Sequence, residues 1–160
     1  MTSAHAISFE KIDGGALPLS SFAGKAVLVA NVASACGFTP QYGPLQALWA
    51  AKRQEGLVVL GVPCNDFGAQ EPGGESQIKS FCETSYGVTF PMTAKVSILA
   101  PASRHPFYAW LAAEAGEDAL PRWNFHKVLI GRDGALLGSF PSRVRPDGPE
   151  LDAAIRDALA

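Results

Sequence analysis

Ala26-Val27-Leu28-Val29-Ala30-Asn31-Val32 is a nearly continuous apolar run, followed directly by the polar loop Ala33-Ser34-Ala35-Cys36-Gly37-Phe38-Thr39-Pro40. A short run of this kind reads as a strand buried on both faces. Beyond the loop, Leu45, Leu48 and Trp49 recur at i, i+3, i+4, the spacing of one helix face. Gly56 ends that helix, and residues 57–62 form a second buried strand. Upstream, residues 7–19 read as a hairpin turning at Asp13-Gly14-Gly15. Downstream, residues 76–86 read as a helix with Ile78, Phe81 and Cys82 on one face, and residues 88–98 as strand or extended chain. A further helix, residues 105–115, carries Phe107, Trp110 and Leu111. Residues 123–130 and 135–140 read as strands joined at Asp133-Gly134, and Leu151, Ala154, Ile155, Ala158 and Leu159 mark a last amphipathic helix. This alternation predicts an α/β protein with a mixed central sheet, helices on both faces and an N-terminal β-hairpin.

No linker, repeat or low-complexity tract divides the 160 residues, so a single domain over 1–160 is expected. The chain is 48% hydrophobic and 18% charged, a composition that excludes disorder. With 13 Lys+Arg against 15 Asp+Glu there is no basic excess to neutralise phosphates, so no nucleic-acid partner is expected. No stretch approaches the ~18 apolar residues of a membrane span. The first residues lack the basic-then-apolar order of a secretory signal. A cytoplasmic protein without stable membrane association is the expectation.

The cysteines are Cys36, Cys64 and Cys82, an odd number in a chain too large to need a disulfide framework. They are inert core residues, metal ligands or redox-active thiols. No C-x-x-C or H-x-x-x-H spacing exists, and His5, His105 and His126 do not cluster in sequence, so neither metal nor cofactor is expected. Cys36 follows the first buried strand by four residues, where chemistry collects in open α/β sheets. A helix starting near Thr39 or Pro40 directs unpaired N–H groups there, which favours a thiolate. A free cysteine is also among the most buried residue types, so packing alone is the competing reading. A dithiol C-x-x-C motif is absent, because Thr39 holds its last position.

Three segments then carry a resemblance. Residues 31–42, Asn-Val-Ala-Ser-Ala-Cys-Gly-Phe-Thr-Pro-Gln-Tyr, are similar to the nucleophile loop of the glutathione peroxidase family. Pro63-Cys64-Asn65-Asp66-Phe67-Gly68-Ala69-Gln70-Glu71-Pro72-Gly73 resembles its second signature, and Trp123-Asn124-Phe125-His126-Lys127 its third. Residues 81–91, around Cys82, are similar as well. The resemblance implies a thioredoxin-like fold and reduction of hydrogen peroxide and organic or lipid hydroperoxides. It implies Cys36 as the peroxidatic residue, with Gln70, Trp123 and Asn124 as its polar neighbours. Amides and an indole N–H are uncharged donors that can serve a thiolate and a leaving oxygen without titrating. Taken alone, Trp123 fits a core role and Gln70 a solvated loop, whereas Asn124 in an apolar strand needs partners.

Cys82 matches the resolving position of members that use thioredoxin instead of glutathione. The implied cycle runs through a Cys36 sulfenic acid and a Cys36–Cys82 disulfide, reopened by thioredoxin. On its predicted helix Cys82 also suits a buried structural thiol, so resolution requires local unwinding of residues about 76–90. Cys64 is read as structural, and His126, on the same strand side as Asn124, receives no role. Asp66 departs from the Gln common in the family and would disfavour a thiolate if it pointed inward. The short segment between Leu111 and Trp123 lacks the insertion of tetrameric members, which implies a monomer. The alternatives are a redox relay to a partner protein and a one-cysteine peroxidase reduced by glutathione.

Overall fold

A computed structural model describes residues 2–160. Strands β3 (Ala26–Val32) and β4 (Leu57–Pro63) pair in parallel, from Ala26 opposite Leu57 to Val32 opposite Pro63. β5 (Lys127–Ile130) lies antiparallel on the other side of β3, and β6 (Leu136–Phe140) antiparallel to β5. The mixed sheet has the order β4-β3-β5-β6. A separate hairpin joins β1 (Ser8–Glu10) to β2 (Ala16–Pro18), with Phe9 opposite Leu17.

Every residue of β3 and β4 is buried, because both faces of the sheet are covered. Alternation sends Val27, Val29, Val58, Leu60 and Val62 to one face, against the hairpin's Phe9 and Leu17 and helix α3 (Pro106–Ala115). Leu28, Ala30, Val32, Leu57 and Val59 face the other way. There they meet α1 (Tyr42–Lys52), α2 (Glu75–Tyr86) and α4 (Pro149–Leu159) through Leu45, Ile78, Cys82, Leu151 and Ile155. Each such aliphatic side chain contributes roughly 1.5–3 kcal/mol on burial. The helix ends follow local chemistry. His105 caps α3, its Nδ1 accepting from the Phe107 N–H at 3.1 Å, with Pro106 at the first helical position. α2 ends in a left-handed glycine cap: Gly87 (φ 59°) donates to the Glu83 carbonyl and Val88 to that of Cys82.

Residues 88–98, expected as strand or extended chain, are extended and form no strand of their own. They cover the outer edge of β4 through single bridges at Met92 and Val96, and Pro91 has no N–H with which to continue a ladder. Gly61 lets them come close, since a Cβ there would lie 3.0 Å from the Phe90 ring. Residues 123–126 are likewise not strand: β5 begins at Lys127, and Asn124 and Phe125 form a turn, Phe125 with φ 63°. The alternation that put His126 beside Asn124 therefore does not hold. His126 is 7% exposed and sits against β6, its Nε2 2.6 Å from Ser139 Oγ.

Candidate active site

Cys36 lies in the loop between β3 and α1, 8% exposed. The Phe38 N–H donates to its sulfur at 3.3 Å, a contact a thiolate accepts more strongly than a thiol. Thr39 holds the loop in shape. Its Oγ1 accepts from the Cys36 N–H at 2.9 Å and donates to the Ala33 carbonyl at 2.8 Å, while its own N–H reaches the Cys36 carbonyl at 3.0 Å. A residue first notable for not being cysteine thus fixes the one that is. The chain then makes a 3-10 turn over Thr39–Gln41 before α1 begins, a few residues later than the sequence suggests.

A second loop straps this one. The Ala35 N–H donates to the Gln70 carbonyl at 3.1 Å. The Gln70 side chain meets Asn124, whose Nδ2 donates to Gln70 Oε1 at 2.9 Å and to the Phe67 carbonyl at 3.3 Å. Trp123 stands edge-on to Phe67, with ring centroids 6.3 Å apart, and is 38% exposed. Gly68 (φ 72°) makes room for it, because a Cβ there would fall 2.8 Å from the indole. Gln70, Trp123 and Asn124 are therefore brought together, the Gln70 loop bonded to the Cys36 loop and the Trp123–Asn124 turn to the Gln70 loop. The positive-φ residues other than glycine among the described residues are Ala69 (φ 53°) and Phe125 (φ 63°), directly before Gln70 and directly after Asn124. Left-handed backbone costs such residues of order 1–3 kcal/mol and collects where side chains must be aimed.

Asn31 pins the Asn124 turn. Its Nδ2 donates to the Trp123 carbonyl at 3.0 Å and its carbonyl accepts from the Phe125 N–H at 2.6 Å. Its sequence signal is a polar residue inside a buried apolar run, which needs partners. Lys127, the first residue of β5, is buried as well. Its fully buried ammonium donates to Gln41 Oε1, Ser142 O and Val144 O at 2.5–3.0 Å, tying the 3-10 turn to the chain after β6. Burial pushes its pKa down to about 7, helped by Arg145.

Cys82 is a free thiol, 1% exposed, in the last turns of α2, and it is not joined to Cys36. Burial pushes its pKa up to about 11, and that of Cys64 up to about 12. Both thiols are protonated at neutral pH. Asp66 turns away from Cys36: its Oδ2 accepts from the Ile98 and Leu99 N–H groups at 2.6 and 3.0 Å. Glu71 is 1% exposed, and burial raises its carboxyl while nearby Ser34 partly offsets this. Burial, then the Lys127 charge, lowers His126 to about 4.

A largely apolar groove of about 500 Å³ opens beside Phe38 and Trp123, floored by Leu120 and Pro141 and edged by Arg122 and Arg143. A larger depression between α1 and α4 touches none of the residues above. No cluster of three His, Cys, Asp or Glu able to hold a metal occurs among the described residues. None of their helices is long and apolar enough to cross a membrane.

The Glutathione peroxidase family model matches residues 4–112. The hydroperoxy fatty acid reductase gpx1 of Synechocystis is 44% identical, covering 97% of this chain and 95% of its own length. The thioredoxin/glutathione peroxidase BtuE of Escherichia coli is 39% identical and covers 93% of each. Among solved structures, Trgpx in its apo form superposes with a TM-score of 0.78 at 34% identity, over 99% of this chain and 97% of that one. More distant thioredoxin-family proteins share the fold, such as the thiol:disulfide interchange protein of Chlorobium tepidum (TM-score 0.69, 18% identity). A thioredoxin-like sheet, a free thiol on the loop after β3 and these matches along nearly the whole chain lead to one assignment: the chain belongs to the glutathione peroxidase family.

Proposed function

We propose that this protein is a two-cysteine thiol peroxidase that reduces hydrogen peroxide and organic or lipid hydroperoxides. The observation that carries the reading is the free Cys36 thiol receiving the Phe38 N–H, strapped through Ala35 to the loop whose Gln70 is paired with Asn124. The Cys36 thiolate attacks the distal peroxide oxygen, the O–O bond breaks, and the departing alkoxide or hydroxide takes a proton to leave as alcohol or water. Gln70 and the Trp123 indole are the donors assigned to the sulfur and to the leaving oxygen, with Asn124, whose amide hydrogens go to Gln70 Oε1 and the Phe67 carbonyl, orienting Gln70. The apolar groove beside Phe38 and Trp123 suits hydroperoxides larger than hydrogen peroxide, in keeping with the substrate named for the Synechocystis relative.

Cys36 is left as a sulfenic acid, and Cys82 resolves it to a disulfide. Since Cys82 is buried within α2, this step requires the C-terminal turns of that helix to open. A thioredoxin then reduces the disulfide, the first of the two reductants in the name of the Escherichia coli relative. The protein works as a cytoplasmic monomer, residues 1–160 forming one domain. The test is turnover of hydrogen peroxide and of a fatty acid hydroperoxide with a thioredoxin system or with glutathione. Faster turnover with thioredoxin, lost in Cys82→Ser, is expected. Equal rates for wild type and Cys82→Ser with glutathione would replace this reading by a one-cysteine peroxidase.

A further inference from the structure

Two walls of the apolar groove come from segments far apart in the chain, Phe38 from the loop after β3 and Pro141, Ser142 and Arg143 from the chain after β6. One buried side chain joins them from behind. Lys127 does not line the groove; it donates to Gln41 Oε1 at 2.5 Å, to the Ser142 carbonyl at 3.0 Å and to the Val144 carbonyl at 2.6 Å. Gln41 completes the link. Its N–H donates to the Phe38 carbonyl at 2.8 Å and its Nε2 to the Ser142 carbonyl at 2.9 Å. An ammonium has three donors and no acceptor, and each of the three oxygens it meets here is an uncharged amide or peptide oxygen. A lysine is rarely buried so completely without a counter-charge, so filling space does not account for it. The sulfur has fastenings of its own. Thr39 Oγ1 holds the Cys36 N–H and the Ala33 carbonyl, and the Ala35 N–H is bonded to Gln70. Lys127 thus fixes the spacing of the groove walls, while other bonds fix the nucleophile.

We propose that Lys127 is a specificity-determining positioning residue: by tying the Gln41 turn to the chain at Ser142 and Val144, it holds the groove at the width that grips the organic part of a hydroperoxide. The proposal rests on the reading that this groove receives the substrate. An apolar side chain of similar length at position 127 would leave Gln41 Oε1 and the Ser142 and Val144 carbonyls short of a donor in the interior. Those oxygens are then satisfied by water admitted between the two segments, which moves Phe38 and Pro141 apart. Hydrogen peroxide has no organic part and makes no use of the walls. A larger hydroperoxide loses apolar contact and, with it, the alignment of its O–O bond on Cys36, where displacements of about 1 Å are costly. The opposite side of the groove has a separate tie. Ser139 Oγ donates to the Ala119 carbonyl at 2.7 Å and lies 2.6 Å from His126 Nε2. A change at Lys127 therefore acts on the Phe38 and Pro141 walls alone.

The test compares hydrogen peroxide with cumene hydroperoxide, a bulky apolar substrate without charge, so that removing the lysine's charge cannot itself bias the comparison. Full-length reduced protein is mixed rapidly with each peroxide, and the second-order rate constant for Cys36 oxidation is measured by quenching and mass analysis. The quantity read is the ratio of the cumene hydroperoxide constant to the hydrogen peroxide constant. Lys127→Met is expected to lower this ratio about tenfold. A lysine with a merely structural role lowers both constants together or neither, so an unchanged ratio would overturn the proposal. If Lys127→Met does not fold, Gln41→Met decides. It removes the Gln41 acceptor and the side-chain bond to Ser142 while leaving Lys127 on its two carbonyls, and the ratio should fall about threefold. An unchanged ratio there overturns the proposal equally. Should wild-type Cys36 react with hydrogen peroxide and not with cumene hydroperoxide, the groove is no substrate site and the reading beneath the proposal fails, an outcome distinct from any change in the ratio.

Discussion

The chemistry turns on which single atoms can ionise or donate. Cys82 and Cys64 are buried and held as thiols by pKa values near 11 and 12, whereas Cys36 sits in a loop with a backbone donor aimed at its sulfur. Alkylation of the reduced native protein at pH 7 should therefore modify Cys36 at least tenfold faster than either other cysteine, as peptide mass mapping would report. Preferential labelling of Cys82 would contradict the assignment. Asn124 offers a second check. Asn124→Ala removes the donor to Gln70 Oε1 and to the Phe67 carbonyl, so about 1–3 kcal/mol of stability should be lost. Peroxide reduction should fall roughly a hundredfold, because the Gln70 amide loses the contact that orients it as a preorganised donor. A stability loss with an unchanged rate constant for Cys36 oxidation would make Asn124 purely structural. Residue types in the three signature segments made Cys36, Gln70, Trp123 and Asn124 legible in the sequence. That Asn31, Glu71 and Lys127 of the same segments are buried was not legible, because burial of a polar side chain is decided by contacts distant in the chain.

At the scale of elements, the buried strands and all four helices were legible to within a few residues, since hydrophobic period and end signals agree there. The strand expected from residue 123 fails for a physical reason. Residues 123–126 carry strand-like composition, but the Asn31 side chain and carbonyl capture the Trp123 carbonyl and Phe125 N–H and force a left-handed turn. Residues 88–98, extended as expected, satisfy their backbone against β4 and the hairpin only at scattered points. Such tertiary capture leaves no local trace in sequence. Gly68 is where loop geometry meets the site: alanine there meets both an unfavourable φ and the Trp123 ring. Gly68→Ala should cost about 1–2 kcal/mol in chemical unfolding and lower the rate of Cys36 oxidation, with helix content unchanged. An unchanged rate would show that the position of Trp123 does not matter. In α2, the bond from the Val88 N–H makes the Cys82 carbonyl part of the helix end. Oxidation should therefore speed amide exchange at Gly87 and Val88 while leaving β3 and β4 protected. Unaltered exchange would contradict opening of the helix.

For the molecule as a whole, acid sensitivity follows from His126. Its folded pKa of about 4 lies below the usual 6.5, so the unfolded chain takes up the proton first as pH falls. Stability from keeping this ring neutral is present above pH 6.5 and is lost as pH drops from 6.5 to 4, by about 3 kcal/mol. Urea unfolding at pH 7 and pH 4 should show that loss in wild type and a smaller one in His126→Gln; equal losses would place the acid-labile group elsewhere. The mixed sheet and its two covered faces were foreseeable because strand composition and helix period point to the same architecture. The central claim is that a peroxidatic thiol in one loop is resolved by a thiol buried in a helix. The direct measurement is one equivalent of hydroperoxide added to the fully reduced protein, then thiol counting and disulfide mapping by mass. Loss of two thiols, joined as Cys36–Cys82 with Cys64 free, is the predicted result. A lasting sulfenic acid on Cys36, with Cys82 still a free thiol, would contradict it.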